Sequence, residues 1–192
     1  MPPGKFRIAV FASGNGTNAE QIFNYFKDHN DIEVALLLGN KPNAYVLERA
    51  KRHNVKSVVF NREEFLEGKK IRTVLKDAGI THIVLAGFLW LIPEYMLADY
   101  PDRIINIHPA LLPKYGGKGM YGSKVHEAVK ASGDLETGIT IHLIDHRYDE
   151  GKILFQGRCS VSGSHTPEEI ATCVHKLEHE HYPPVIEKWI LG

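Results

Sequence analysis

The chain has 192 residues, no formal net charge (23 Lys+Arg against 23 Asp+Glu) and 43% hydrophobic residues. That length fits one domain, residues 1–192, with a core able to stand alone; the balanced, unclustered charge gives no field for nucleic acid or a membrane surface. Two cysteines, Cys159 and Cys173, make neither a disulfide framework nor a CxxC pair and read as reduced thiols of a cytoplasmic protein.

MPPGK leads straight into FRIAVFA (6–12), a buried strand, with no signal-peptide core before it. SGNG makes a turn, and a helix follows over about 17–28. IEVALLLG (32–39) predicts a second strand, with a helix around 44–53. VKSVVF (55–60) predicts a third, followed by a Lys/Glu-rich helix, and THIVLAG (81–87) a fourth. PEYMLADY reads as a helix opened by Pro93 and stopped by Pro101, and RIINIH (103–108) as a fifth strand. Continuous apolar strands alternating with helices imply a mostly parallel twisted sheet covered on both faces. GITIHLID (138–145) and KILFQGR (152–158) depart from that pattern, because HRYDEG between them is too short for a helical crossover. They predict an antiparallel pair in the C-terminal part of a single α/β domain. Thr166-Pro167-Glu168-Glu169 opens a long closing helix with an N-cap, a first-turn proline and a capping-box glutamate, and Pro183-Pro184 interrupts it. No apolar run is long enough to cross a bilayer.

Three places carry chemistry. In SGNGTNAE (13–20), Gly14 and Gly16 allow close backbone approach, and Thr17 with Glu20 forms a capping box. Either this is a plain Gly-rich turn before a capped helix, or the amides of Gly16, Thr17 and Asn18 point at an anion, a phosphate position in doubly wound sheets. Ala19 stands where the dinucleotide fingerprint needs its third glycine, which argues against a nicotinamide oxidoreductase. Asn106 and His108 project together from the end of the fifth strand, where the chain turns away at Pro109. An amide and an imidazole there suit a developing oxyanion and proton handling, or merely cap the loop backbone. Asp149, ahead of Glu150-Gly151, is turn chemistry by itself and an imidazole's partner if the fold brings it to His108. His142 reads as a hydrogen-bonded sheet histidine, and AGFLWLI (86–92) as core or as the wall of a pocket for a flat ring. His175-Lys176-Leu177-Glu178-His179 matches H-x-x-E-H formally, but no third ligand stands out and no metal is expected.

NIHPALLPKYGG resembles the N-x-H-P-S/A-L-L-P run of the folate-dependent formyltransferases. SGNGTN, AGF, GITIH, the Asp149-Glu150-Gly151 turn before KILFQ, and EHEHYP fall in the order and spacing of the branch acting on glycinamide ribonucleotide, from residue 6 to about 190. The resemblance implies the formyltransferase fold and transfer of the formyl group of 10-formyltetrahydrofolate, a co-substrate, to the amine of that ribonucleotide in purine biosynthesis. It implies a cytoplasmic monomer or weak homodimer with small-molecule substrates, no nucleic acid and no membrane. By the same resemblance, Asn106 and His108 stabilise the oxyanion and Asp149 keeps His108 charged and relays protons. Gly16, Thr17, Asn18 and Glu178 hold the ribonucleotide; Leu89, Trp90, Leu91 and Ile92 line the pterin pocket, with Asn106 and His142 beside it. Trp90 stands where many members have arginine, and GGKGMYGSKVH replaces the shorter PGLHTH loop. Arg62 and Lys69 are both candidates for the folate tail. Rival readings are a formyltransferase acting on an amino-sugar nucleotide, a formyl-folate hydrolase and a non-catalytic phosphate- or nucleotide-binding module.

Overall fold

The structure, a computed structural model, describes residues 4–163 and 165–192. Five strands, β1 (Phe6–Ala12), β2 (Ile32–Gly39), β3 (Ser57–Val59), β4 (His82–Leu85) and β5 (Ile104–His108), pair in parallel. β6 (Glu136–Leu143) and β7 (Ile153–Ser160) extend the sheet antiparallel. The order is β3-β2-β1-β4-β5-β6-β7. This is the expected α/β sheet with its antiparallel C-terminal pair.

Alternate residues of β1 feed two cores, as a sheet covered on both faces requires. Ile8, Val10 and Ala12 pack under α1 (Thr17–Phe26), α2 (Val46–Arg52) and α7 (Pro167–Leu191). Ala9 and Phe11 pack on the other face with Phe65 of α3 (Arg62–Glu67), Ile71 and Leu75 of α4 (Lys69–Asp77) and Met96 of α5 (Glu94–Asp99). The strand order reverses between β1 and β4, and the crevice beyond their carboxyl ends is where such sheets bind ligands.

Several expectations are corrected. Thr17 and Glu20 form no capping box: Gly16 is the N-cap, without a side-chain cap, and Glu20 turns instead to Arg49 and Arg52 of α2. The Lys/Glu-rich helix is two helices, broken at Gly68, where φ is 79° and a Cβ would meet the Tyr95 ring at 2.7 Å. An unpredicted helix, α6 (Ser123–Ser132), follows the glycine-rich loop. The closing helix has the expected Thr166–Glu169 capping box but continues for 25 residues through Pro183-Pro184. Tyr182, Ile186 and Ile190 on either side of that pair are buried, so packing outweighs the lost backbone hydrogen bonds. Cys159 of β7 and Cys173 of α7 are paired as a disulfide, Cα atoms 6.7 Å apart, rather than two separate thiols. Their separation of 14 residues conceals that β7 and α7 pack together.

Candidate active site

A cleft of about 680 Å³ opens at the β1/β4 switch point, walled by the β1–α1 turn, the segment after β4, the end of β5, the glycine-rich loop, the β6–β7 connection and α7. Two of these walls are clasped at their roots, where the Ser13 amide donates to the Gly87 carbonyl at 3.1 Å. Gly16 has φ 78°, and a Cβ there would overlap the Val46 side chain, so only glycine turns the chain into α1. Arg49 braces the same turn by donating to the Asn15 carbonyl and Oδ1 at 2.9 and 2.8 Å. The uncapped first turn of α1 therefore faces the cleft with free amides.

Asn106 and His108 reach the floor of the cleft from the C-terminal end of β5. Antiparallel pairing sets Asn106 opposite His142 and His108 opposite Thr140. Asn106 Nδ2 donates to His142 Nε2 at 3.3 Å, while His142 Nδ1 donates to the Leu143 carbonyl at 3.0 Å. One imidazole tautomer satisfies both bonds, and the amide is thereby oriented with a second N–H left for a ligand. His142 itself is fully buried behind Asn106 and does not line the cleft. Burial pushes its imidazole down from its ordinary value, keeping it neutral against the weaker pull of Asp149.

His108 is 3% exposed. Its Nε2–H donates to the Tyr115 carbonyl at 2.8 Å, and Nδ1 lies 3.6 Å from Asp149 Oδ2. Thr140 anchors the loop that presents Tyr115: its hydroxyl donates to the Ala110 carbonyl at 2.7 Å and accepts from the Leu112 amide at 3.0 Å. Burial lowers the His108 pKa, while Asp149 and the Tyr115 carbonyl act in the opposite sense; burial is the largest influence. The structure thus brings Asp149 to His108 across 41 positions of sequence. Asp149 adopts φ 57° and accepts from the Gly117 amide at 2.9 Å, so the glycine-rich loop and the carboxylate hold one another. A Cβ on neighbouring Gly116 would meet Leu112 Cδ2 at 2.6 Å, which explains why the chain is bare there.

On one flank of this floor, Asn18 Nδ2 donates to Glu178 Oε2 at 2.9 Å. Glu178 is 6% exposed, and burial raises its pKa despite that bond. On the other flank Leu89, Trp90, Leu91 and Ile92 form an apolar wall, with the Arg62 guanidinium 5.7 Å from the Trp90 ring centroid. Gly16, Thr17, Asn18, Asn106, His108, Asp149 and Glu178 therefore share one cavity. Sequence reading missed Lys118 and Tyr121 of the glycine-rich loop and His126 of α6, all of which line it. The apolar pair Val125 and Val129, four apart and both buried, was the available sign of α6. Among the described residues, no group of three His, Cys, Asp or Glu is arranged to hold a metal.

Residues 6–186 match the family described as Formyl transferase. The chain is 40% identical to the chloroplastic phosphoribosylglycinamide formyltransferase of Arabidopsis thaliana over 190 residues, 96% of this chain but 65% of that protein. It is 38% identical to the phosphoribosylglycinamide formyltransferase of Bacillus subtilis (strain 168), with 97% of this chain and 95% of that one covered. Among solved structures it is similar to glycinamide ribonucleotide transformylase 1 from Geobacillus kaustophilus, with a TM-score of 0.88 and 36% identity over 98% of this chain and 100% of that one.

Proposed function

The chain belongs to the formyl transferase family, and from that premise we propose that it transfers the formyl group of 10-formyltetrahydrofolate to the amine of glycinamide ribonucleotide, the acceptor that its relatives' names give for them. The observation that carries this reading is the meeting of Asn106, His108 and Asp149 between a phosphate-suited turn and an apolar wall. The ribonucleotide phosphate lies on the amides of Gly16, Thr17 and Asn18, and its ribose end meets Asn18 and Glu178. The pterin lies against Leu89, Trp90, Leu91 and Ile92, with Asn106 at the formyl group and His142 acting only through Asn106.

The acceptor brings its own nucleophile, so the chain needs no activated serine or cysteine. The amine lone pair attacks the formyl carbon, and the C=O π electrons move onto oxygen. The free N–H of Asn106 and the protonated imidazole of His108 donate to that oxyanion. Collapse breaks the bond from carbon to N10 of the folate, and the proton lost by the new amide nitrogen passes to N10 through water held at Asp149. Much of the rate advantage comes from holding the two substrates together at one face of β5.

Absorbance of released tetrahydrofolate tests the reading. Release that requires glycinamide ribonucleotide supports it. Release without the ribonucleotide points to a hydrolase, and no release in either case refutes the assignment.

A further inference from the structure

α6 begins where the glycine-rich loop ends and puts one polar ring into the cleft wall. His126 is 4% exposed and lines the cavity beside His175 and Glu178. Its ring meets that of His175 edge-on at 6.2 Å. Neither ring nitrogen has a hydrogen-bond partner among the described residues, and Nδ1 is wholly sealed from solvent. The other polar groups of the floor are engaged: His108 with Tyr115, Asn106 with His142, Glu178 with Asn18. One further atom there is unsatisfied, the buried Oδ1 of Asn18. Buried polar groups almost always find a partner, so Nε2, the one nitrogen of this buried cleft-lining ring that is not sealed, points to a group that a ligand supplies.

We propose that His126 is an additional acceptor-binding residue, hydrogen-bonding the amide that joins the amine-bearing carbon of the ribonucleotide to its ribose. The proposal rests on the acceptor assignment above. With the amine at His108 and the ribose at Asn18 and Glu178, the amide spans the gap between them. His126 lines the same cavity as these groups, its ring against that of His175. Burial, helped by His175, pushes its pKa down to about 4, so near neutral pH the ring is uncharged. With Nδ1 sealed, a neutral imidazole meets a ligand through Nε2 alone, as donor or as acceptor according to tautomer, and an amide can answer either. Lys118 or another cation in this place would instead favour a carboxylate or phosphate.

Calorimetric binding of three probes tests this: glycinamide ribonucleotide, ribose 5-phosphate, which lacks the amide, and 10-formyltetrahydrofolate. His126→Phe is expected to weaken the ribonucleotide about 10–100-fold, the loss of a hydrogen bond with its partner left buried. Ribose 5-phosphate and the folate should bind as to wild type. His126→Gln, which keeps a polar atom near the Nε2 position, should restore most of the ribonucleotide affinity. Unchanged ribonucleotide binding by the Phe variant overturns the proposal, as does an equal loss for ribose 5-phosphate. If the Phe variant fails to fold, His126→Met replaces it: weaker ribonucleotide binding than His126→Gln supports the contact, and equal binding overturns it. A wild-type protein that ignores glycinamide ribonucleotide refutes the acceptor assignment itself, whereas wild-type binding with an indifferent Phe variant refutes only the role of His126.

Discussion

Replacing Asp149 with asparagine removes one charge from the floor of the cleft and little else. The amide oxygen still accepts from the Gly117 amide, now at 2.9 Å, and the φ of 57° is one asparagine adopts readily. Folding stability should therefore change little. What is lost is the attraction between a carboxylate and an imidazolium 3.6 Å apart, with side chains 12% and 4% exposed. At an effective dielectric constant near 20, that attraction is about 4–5 kcal/mol, an upper bound before partial compensation by water. Each 1.4 kcal/mol is tenfold in rate, so kcat should fall roughly 10²–10⁴-fold while both substrates bind nearly as before. The pH profile adds a second readout. Asp149 raises the His108 pKa against burial, so its removal lowers that pKa further, and the limb on which rate declines with rising pH should move to lower pH. Steady-state and single-turnover kinetics across pH would check both. Near-normal turnover in Asp149→Asn, or a large fall in substrate affinity with kcat unchanged, would refute the reasoning.

Gly16→Ala should destabilise the protein by at least about 1–2 kcal/mol, the cost of a left-handed non-glycine residue, with the overlap on Val46 added, and should raise KM for the phosphate substrate more than for the folate; urea titration and kinetics measure the two. Glu178→Gln should stabilise the free protein at neutral pH while weakening the ribonucleotide. Burial raises the Glu178 pKa, so the native state holds this proton more tightly than the unfolded chain; wild-type stability falls as pH rises through that window, and the variant's advantage should shrink as pH drops toward 4.5 in thermal melts. His82, held down to about 4 mainly by burial beside Phe6 and Trp189, works in the opposite sense. The unfolded chain takes up this proton first, so stability should decline as pH falls from 6.5 toward 4, and His82→Phe should blunt the decline.

The site was readable wherever local chemistry and sheet geometry decide the outcome. Asn106 and His108 end a buried strand in front of a proline, and strand periodicity alone sends both toward one cleft. Long-range competition was not readable. Glu20 has two candidate partners, the N-terminal amides of its own helix and the guanidinium groups of α2, and only the fold shows that Arg49 and Arg52 win. Pro183-Pro184 has the local signature of a helix break, yet the buried Tyr182, whose hydroxyl donates to the Leu85 carbonyl at 2.9 Å, and buried Ile186 hold one axis through it. His126 stayed hidden because its helix follows a loop rich in glycine, and because an unpartnered nitrogen is a property of packing rather than of residue order.

Burying His108 looks at first like a poor choice for a group that must carry positive charge. Burial lowers its pKa, and Asp149 together with the Tyr115 carbonyl only partly opposes that. What matters, however, is the difference between states: the neutral formyl oxygen gains little from a nearby cation, and the oxyanion of the transition state gains much more. Asp149 already faces Nδ1 as a counter-charge, and the oxyanion adds a second negative partner as it forms. The same low-dielectric surroundings that penalise the lone cation then strengthen its pairing with the new anion. Asn106 contributes on the same principle without any charge, since His142 fixes its amide before the reaction and no reorientation is needed as the oxyanion develops. On the proposed mechanism, a His108 exposed to solvent would be more readily protonated and a worse catalyst. Enlarging the cleft mouth should therefore raise the His108 pKa, followed by NMR titration of its ring, while lowering kcat; a rise in both would count against this account.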